Sequence, residues 1–376
     1  MRDLPEDTIH MQEALQHAAR SIGLSEPNPR VGCVLVAPGG AEIGSGYTQQ
    51  AGGPHAEVMA LRDARARGHA TQGATAYVTL EPCSHHGRTG PCCDALVEAG
   101  VARVVAAVQD PNPLVGGQGF ARLRAAGVTV ETGPGMEASR ELNIGFFNRM
   151  LRRRPWARMK IAASLDGRTA LDNGQSQWIT SAPARADGHV WRARAGAVMS
   201  GIGTVLDDNP RLDVREVDVR QQPALVVVDS HLQLPLDAAL FTVTRPLFVY
   251  AADADETRAT ALRERGATIV LLPGPARAGG PAKVDLDRMM DDLGQRGINE
   301  LHIEAGAKLN GSLLRAGLVD ELLIYLAPKL IGPGRPMAAL DALTELGQAL
   351  SLRFVSATPV GDALRIVARV TPEPWS

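Results

Sequence analysis

Lysine is nearly missing from this chain. Four are present (Lys160, Lys283, Lys308 and Lys329), which leaves 35 arginines among the 39 basic residues. Against 41 acidic residues the formal net charge is −2, with no long basic block. A nucleic-acid partner normally leaves an electropositive footprint, so none is expected. Aromatic residues make up only 4% of the chain. No apolar run approaches the roughly 20 residues of a membrane span, so a membrane role is not expected either. The opening Met1-Arg2-Asp3-Leu4-Pro5-Glu6-Asp7 does not read as a signal peptide. Cysteine is scarce too. Four in 376 residues, three of them near one motif, suit a reducing compartment better than a disulfide scaffold. These absences point to a cytoplasmic enzyme, and the length suggests two domains at about 150 residues each.

What is present is concentrated in a few motifs. His55-Ala56-Glu57 is followed by Pro82-Cys83 and then by Cys92. One imidazole and two thiolates suit Zn²⁺, and three protein ligands leave the fourth tetrahedral position to water. The ion lowers that water's pKa towards ~7. Glu57, two residues from the imidazole, is placed to shuttle its proton without ligating the metal. The predicted set is therefore His55, Cys83 and Cys92 as ligands, with Glu57 as general acid/base. Eight residues separate the two cysteines, more than in the commonest deaminase spacing, and the insert 84–91 reads as a polar loop. Cys93 is read as a bystander and Cys33, in an apolar run, as core.

The first part alternates helix and strand. Asp7 or Thr8 is expected to cap a first helix, and Gly39-Gly40 to turn a hairpin. A helix starts at His55 and another at about Pro91, and 136–150 reads as one long closing helix. Arg152-Arg153-Arg154-Pro155 reads as a solvated linker, because charge runs are usually solvated. Beyond it, apolar β-branched runs alternate with amphipathic stretches near 183–194, 255–265, 286–296 and 309–316. That pattern predicts a mostly parallel sheet covered on both faces. Residues 352–370 read as a closing antiparallel hairpin about Gly361-Asp362. The expected domains are 1–151 and 155–376.

Two glycine turns follow strands in the second part. Gly306-Ala307-Lys308-Leu309-Asn310-Gly311-Ser312 opens a helix after 301–303, and Gly201-Ile202-Gly203-Thr204 follows 197–200. The first alone reads as a tight connection, while the second runs into Asp207-Asp208-Asn209-Pro210, too polar for a plain core connection; together they suggest a dinucleotide across the sheet's crevice. Ala163-Ser164-Leu165-Asp166-Gly167 and Ser176-Gln177-Trp178 complete a polar rim. Trp178 either covers a planar ring or packs. Lys160 lies in an apolar strand-like run, where a charge is unexpected; it is either functional or a strand-end lysine reaching solvent.

With these residues in view, the chain resembles the bifunctional riboflavin-biosynthesis deaminase/reductases over nearly its whole length. The most specific pieces are Pro27-Asn28-Pro29-Arg30-Val31-Gly32, His55-Ala56-Glu57 and Glu81-Pro82-Cys83-Ser84-His85-His86-Gly87-Arg88-Thr89. Asp110-Pro111-Asn112-Pro113, Ala163–Gly167 and Ala327-Pro328-Lys329-Leu330-Ile331-Gly332 follow downstream. The resemblance implies an α/β chain with an N-terminal cytidine-deaminase-like domain and a C-terminal dihydrofolate-reductase-like domain. It implies one Zn²⁺ and NADPH as cofactors and a small-molecule pyrimidine ribose phosphate as substrate. Asn28 would meet the pyrimidine, and His85 and Arg88 the phosphate. In the reductase, Ser176, Arg192, Leu212, Arg215 and Glu304 would meet substrate. Ala162, Trp178, Thr204, Asp208, Ser230 and the residues Gly306, Ala307, Lys308, Leu309, Asn310, Gly311 and Ser312 would meet the cofactor. Lys160 and Asp208 would polarise the ribose and manage protons. Two departures bear on the deaminase pocket: Thr48 stands where the family has histidine, and Gly90 where it has proline. A homo-oligomer, a dimer, is expected.

Overall fold

The computed structural model describes residues 5–85, 90–253, 255–275 and 280–375. The chain divides into two compact units, residues 1–152 with Trp375 and residues 153–374.

The first unit is built on α1 (Pro5–Ala19), β1 (Gly32–Val36), β2 (Glu42–Tyr47), α2 (Ala56–Ala66), β3 (Thr75–Val78), α3 (Cys92–Glu98), β4 (Arg103–Ala106), α4 (Gln118–Ala125), β5 (Thr129–Thr132), α5 (Met136–Leu142) and α6 (Ile144–Arg152). Its sheet runs β2-β1-β3-β4-β5. The β1 pairings are antiparallel, while β3, β4 and β5 are parallel. Alternation along β1 sends Cys33 and Leu35 into the core under α2 and α3, and Val34 and Val36 to the face covered by α1. Gly32 permits the α1 contact: a Cβ there would lie 1.9 Å from the Ala14 carbonyl oxygen.

Asp7 does not cap α1. It lies inside the first turn, buried, where both guanidinium nitrogens Nη1 and Nη2 of Arg103 donate to it at 2.8 Å and the Tyr77 hydroxyl at 2.7 Å. Those bonds hold its carboxyl below the usual range and tie α1 to β3 and β4. The closing helix also differs from expectation, since it breaks into α5 and α6 at Asn143. The Asn143 side chain accepts from the Arg30 N–H at 2.7 Å and donates to the Arg30 carbonyl at 2.9 Å. This local pairing fixes the segment just before β1.

The second unit contains β6 (Trp156–Ser164), β7 (Arg168–Leu171), α7 (Ala182–Arg194), β8 (Ala197–Gly201), α8 (Ile202–Asp208), β9 (Ala224–Val228), β10 (Leu247–Ala251), α9 (Glu256–Glu264), β11 (Ala267–Leu271), α10 (Leu286–Gln295), β12 (Glu300–Ile303), α11 (Ala307–Arg315), β13 (Glu321–Ala327), β14 (Gly334–Pro336), β15 (Arg353–Val360) and β16 (Ala363–Arg369). The nine-stranded sheet runs β11-β10-β9-β8-β12-β6-β13-β16-β15. Every pairing from β11 to β13 is parallel, and β16 and β15 close it as the antiparallel hairpin expected from the sequence. The small β7–β14 pair was not anticipated.

The arginine run between the domains is not wholly solvated. Arg154 donates from both Nη atoms to the buried Asp320 carboxylate at 2.7 Å, and Asp320 also accepts the Ala157 N–H. At the amino ends of the central strands, Arg158 bridges Glu300 and Glu321, while Arg194 and Arg369 add the outer contacts. Buried charges need such pairing. The ionic cluster secures one end of the sheet and leaves the carboxyl ends for the site.

Candidate active sites

In the first unit, His55 is the N-cap of α2, Cys92 opens α3, and Cys83 follows β3. The His55 ring nitrogen and the two sulfurs all lie within 4.8 Å of one another. His55 Nδ1 is 3.3 Å from Cys92 Sγ and 3.6 Å from Cys83 Sγ, and the Cys92 N–H points at Cys83 Sγ at 3.4 Å. The donor set fits zinc: one nitrogen and two sulfurs converge, with helix N-termini behind two of them. The Cys92 thiol and the His55 ring pull the Cys83 thiol down to about 4, while Cys92 is pushed far up. Two sulfurs thus contend for one proton, a conflict that a bound dication relieves.

Glu57 is buried in the first turn of α2. Burial, reinforced by the Cys83 thiolate, pushes its carboxyl up to about 7. That value suits a group that must both accept and return a proton near neutrality. Cys93 turns away, its thiol directed to the carbonyls of Pro82 and Gly119, and Cys33 is fully buried.

Nothing in the spacing of the motif gives Glu81 a role; the structure supplies one. Its carboxylate accepts the backbone N–H groups of Asp110, Gly117, Gly119 and Phe120 at 2.8–3.2 Å. This anchors the Asp110-Pro111-Asn112-Pro113 turn beside the ligand loop. Glu81, Cys83, His85 and Asp110 line one small cavity. Asn28 is half-buried, and its N–H closes a turn on the Ser25 carbonyl. Thr48 is buried and its hydroxyl reaches the Val31 carbonyl at 3.4 Å, so it serves the scaffold at that position. Arg88 lies outside the described residues.

In the second unit, the carboxyl ends of the parallel strands gather the remaining set. Glu304, just past β12, accepts from Arg192 Nε of α7 at 2.7 Å and lies 3.6 Å from Lys160 Nζ of β6. Arg192, then Lys160, hold its carboxyl well below the usual range against the opposing effect of burial. Lys160 is therefore paired within the crevice. Arg192 also donates to the Asp213 carbonyl. Arg215 pairs with the Asp213 carboxylate at 2.9 Å, and neighbouring Leu212 is buried with a left-handed φ of 54°.

The two glycine turns meet. A Cβ on Gly201 would lie 3.1 Å from Leu309 Cδ2, and one on Gly306 would lie 3.6 Å from Thr204 Oγ1. The α11 N-terminus, capped by Gly306, thus opens beside the start of α8, a cradle suited to phosphate. Ala162 lies on β6, and Ser230 follows β9 with its hydroxyl receiving the Val284 N–H at 3.4 Å. Lys308 is exposed, Asn310 donates to the Met337 carbonyl, and Gly311 packs under Ala339. Ser312 donates back to the Lys308 carbonyl. Trp178 is 60% exposed, with the Arg185 guanidinium 4.4 Å over its ring, and Ser176 is half-buried nearby in sequence. Asp208 closes α8 in solvent, beside Asp207, which pairs with Arg335. The motif pieces around Asp166 and Ile331 also meet: the Asp166 carboxylate accepts from Ser164 Oγ and from the N–H groups of Ile331 and Gly332.

Residues 155–365 match the RibD C-terminal domain, and residues 5–108 match the cytidine and deoxycytidylate deaminase zinc-binding region. The riboflavin biosynthesis protein RibD of Escherichia coli (strain K12) is 45% identical over 95% of this chain and 97% of its own length. The chain belongs to the RibD family. The RibD of Aquifex aeolicus (strain VF5) is 38% identical over 96% of this chain and 97% of its own. Acinetobacter baumannii RibD superposes with a TM-score of 0.87 at 39% identity, covering 98% of this chain and 99% of that one. A Thermotoga maritima diaminohydroxyphosphoribosylaminopyrimidine deaminase/5-amino-6-(5-phosphoribosylamino)uracil reductase gives 0.85 at 29% identity, covering 97% and 99%. As a RibD, this protein is a bifunctional deaminase/reductase of riboflavin biosynthesis, with a zinc-binding deaminase domain and an NADPH-dependent reductase domain. The two sites described above fall one in each. No helix among the described residues is long and apolar enough to cross a membrane.

Proposed function

We propose that the first site deaminates 2,5-diamino-6-ribosylamino-4(3H)-pyrimidinone 5′-phosphate and that the second reduces the ribosyl chain of the product to ribityl. The convergence of His55, Cys83 and Cys92 within 4.8 Å, beside buried Glu57, carries the first half. Held by those three ligands, Zn²⁺ would supply a water of lowered pKa. Glu57 takes that water's proton and returns it to the amino group, which leaves as ammonia while the ring carbon gains a carbonyl oxygen. Asn28 orients the pyrimidine, and His85 and Arg88 meet the phosphate.

The Lys160–Glu304–Arg192 cluster, next to the Gly201 and Gly306 turns, supports the second half. NADPH would supply the hydride for the ribose C1′ of the ring-opened imine. Arg192 and Arg215, through their planar forks, hold the substrate phosphate, with Ser176, Leu212 and Glu304 completing the pocket. Lys160 polarises the ribose, and Asp208 at the end of α8 manages protons. Ala162, Trp178, Thr204, Asp208, Ser230 and residues 306–312 would hold the dinucleotide, and the N–H groups at the α11 N-terminus are suited to its phosphates.

A homodimer is favoured by the far edge of the second sheet. There β15 is an edge strand, and Leu346, Leu352, Phe354 and Val355 are exposed along it and just before it. Open apolar edges are usually covered. The thiolate ligands favour the reducing cytoplasm, and neither nucleic acid nor membrane is needed by either site. Ammonia release from the diaminopyrimidine phosphate without NADPH, compared with release from cytidine, tests the substrate assignment. Turnover of cytidine alone would reject it.

A further inference from the structure

His302 is completely buried on β12, between core residues Leu301 and Ile303 that face the other side of the sheet. Strand alternation places Glu300, His302 and Glu304 on one face. Arg158 stands opposite His302 in the parallel β12–β6 register, and α7 supplies Arg192 and Arg194 to the same face. His302 therefore sits between two ion clusters. On one side, Arg158 and Arg194 hold Glu300; on the other, Arg192 and Lys160 hold Glu304.

A histidine is costly here as mere filling. Neither ring nitrogen makes a well-aligned hydrogen bond among the described residues, and a buried polar atom left unmet is unfavourable. Leucine or methionine would fill the volume without that penalty. Its acidic neighbour is Glu304: His302 Nε2 lies 3.3 Å from its Oε1. That same oxygen takes Arg192 Nε at 2.7 Å, whereas Oε2 faces Lys160 Nζ at 3.6 Å. Burial and the surrounding arginines keep the imidazole neutral, so it has a single N–H to place.

We propose that His302 is a positioning residue of the reductase site: its Nε2 edge, 3.3 Å from Oε1 of Glu304, buttresses that oxygen from inside the sheet, so that Oε2 is presented to Lys160 and the substrate ribose. The inference rests on the reading of this crevice as the reductase site. His302 touches neither substrate nor cofactor. Its effect reaches them only through the Glu304 carboxylate.

The test is steady-state NADPH oxidation with 5-amino-6-(5-phosphoribosylamino)uracil for wild type, His302→Met and His302→Gln, with ammonia release as the control for the other site. His302→Met removes that polar edge and should raise the substrate KM about tenfold, with the KM for NADPH and ammonia release unchanged. His302→Gln restores a polar edge at nearly the same reach and should recover most of the loss. In a Glu304→Gln background the His302→Met effect should vanish, because there is no carboxylate left to orient. Equal kinetics for wild type and His302→Met, equal loss in Met and Gln variants, or a change confined to NADPH would overturn the proposal. If His302→Met does not fold, His302→Asn, whose amide stops short of Oε1, takes its place with the same two outcomes. An inactive wild type would instead reject the reductase reading itself.

Discussion

Lys160 Nζ and Glu304 Oε2 lie 3.6 Å apart, one on β6 and the other just beyond β12, in the middle of a parallel sheet. A lysine in an apolar strand thus has a carboxylate to answer it, and Arg192 makes the cluster net positive. That balance suits the phosphorylated sugar proposed to bind there.

The same cluster has a consequence for acid stability. The folded-state pKa of Glu304 lies well below its ordinary 4.5. Ionised Glu304 therefore favours the folded protein above about pH 4.5, and that contribution is lost as pH falls through and below this value. Urea unfolding midpoints should drop between pH 6 and pH 4 in the wild type. Glu304→Gln should lower the midpoint at pH 6 and narrow the difference between the two pH values; an undiminished drop would place the acid sensitivity elsewhere.

Glu57→Gln should retain zinc, since Glu57 is not among the three converging ligands. Ammonia release should fall by about 10²- to 10⁴-fold, the range for loss of a positioned acid/base. NADPH oxidation with the deaminated intermediate should stay at the wild-type rate. Metal analysis and two separate assays check the three statements, and joint loss of both activities would contradict two independent sites.

Arg215 is partly exposed, and its pairing with Asp213 holds it beside Leu212 and Arg192. Arg215→Ala should raise the reductase KM for the pyrimidine phosphate about tenfold, as expected when one charge-assisted phosphate contact is removed. Ammonia release should not change. Unaltered reductase kinetics would take Arg215 out of the substrate pocket.

Gly311 packs so closely that an added Cβ would lie 2.1 Å from the Ala339 carbonyl oxygen. Gly311→Ala must push α11 away from that segment, at a cost of about 1–3 kcal/mol. The α11 N-terminus moves with it, so the KM for NADPH should rise together with the loss in thermal stability. A stable variant with normal NADPH affinity would show that α11 does not set the cradle.

Much of this was legible because the chemistry is local. His55-Ala56-Glu57 fixes an imidazole at a helix start and a carboxylate in its first turn, and the structure has both there. The paired cysteines and the two glycine turns were readable for the same reason. Side chains that act across long loops were not. Asp7 looked like a cap because caps are recognised by neighbours in sequence, whereas its partners are 70 and 96 residues away. Arg154 looked solvated for want of Asp320, and the break at Asn143 depends on Arg30. Glu81 and His302 carried no spacing signal. Their roles come from the N–H groups and charges that folding brings to them.

Product analysis with 2,5-diamino-6-ribosylamino-4(3H)-pyrimidinone 5′-phosphate, with and without NADPH, tests the two-site account most directly. Zinc-loaded protein should release ammonia and stop at the ribosylaminouracil without NADPH, and proceed to the ribityl product with it. Ammonia release that persists undiminished after complete removal of metal, or ribityl product formed with no deamination, would contradict the account.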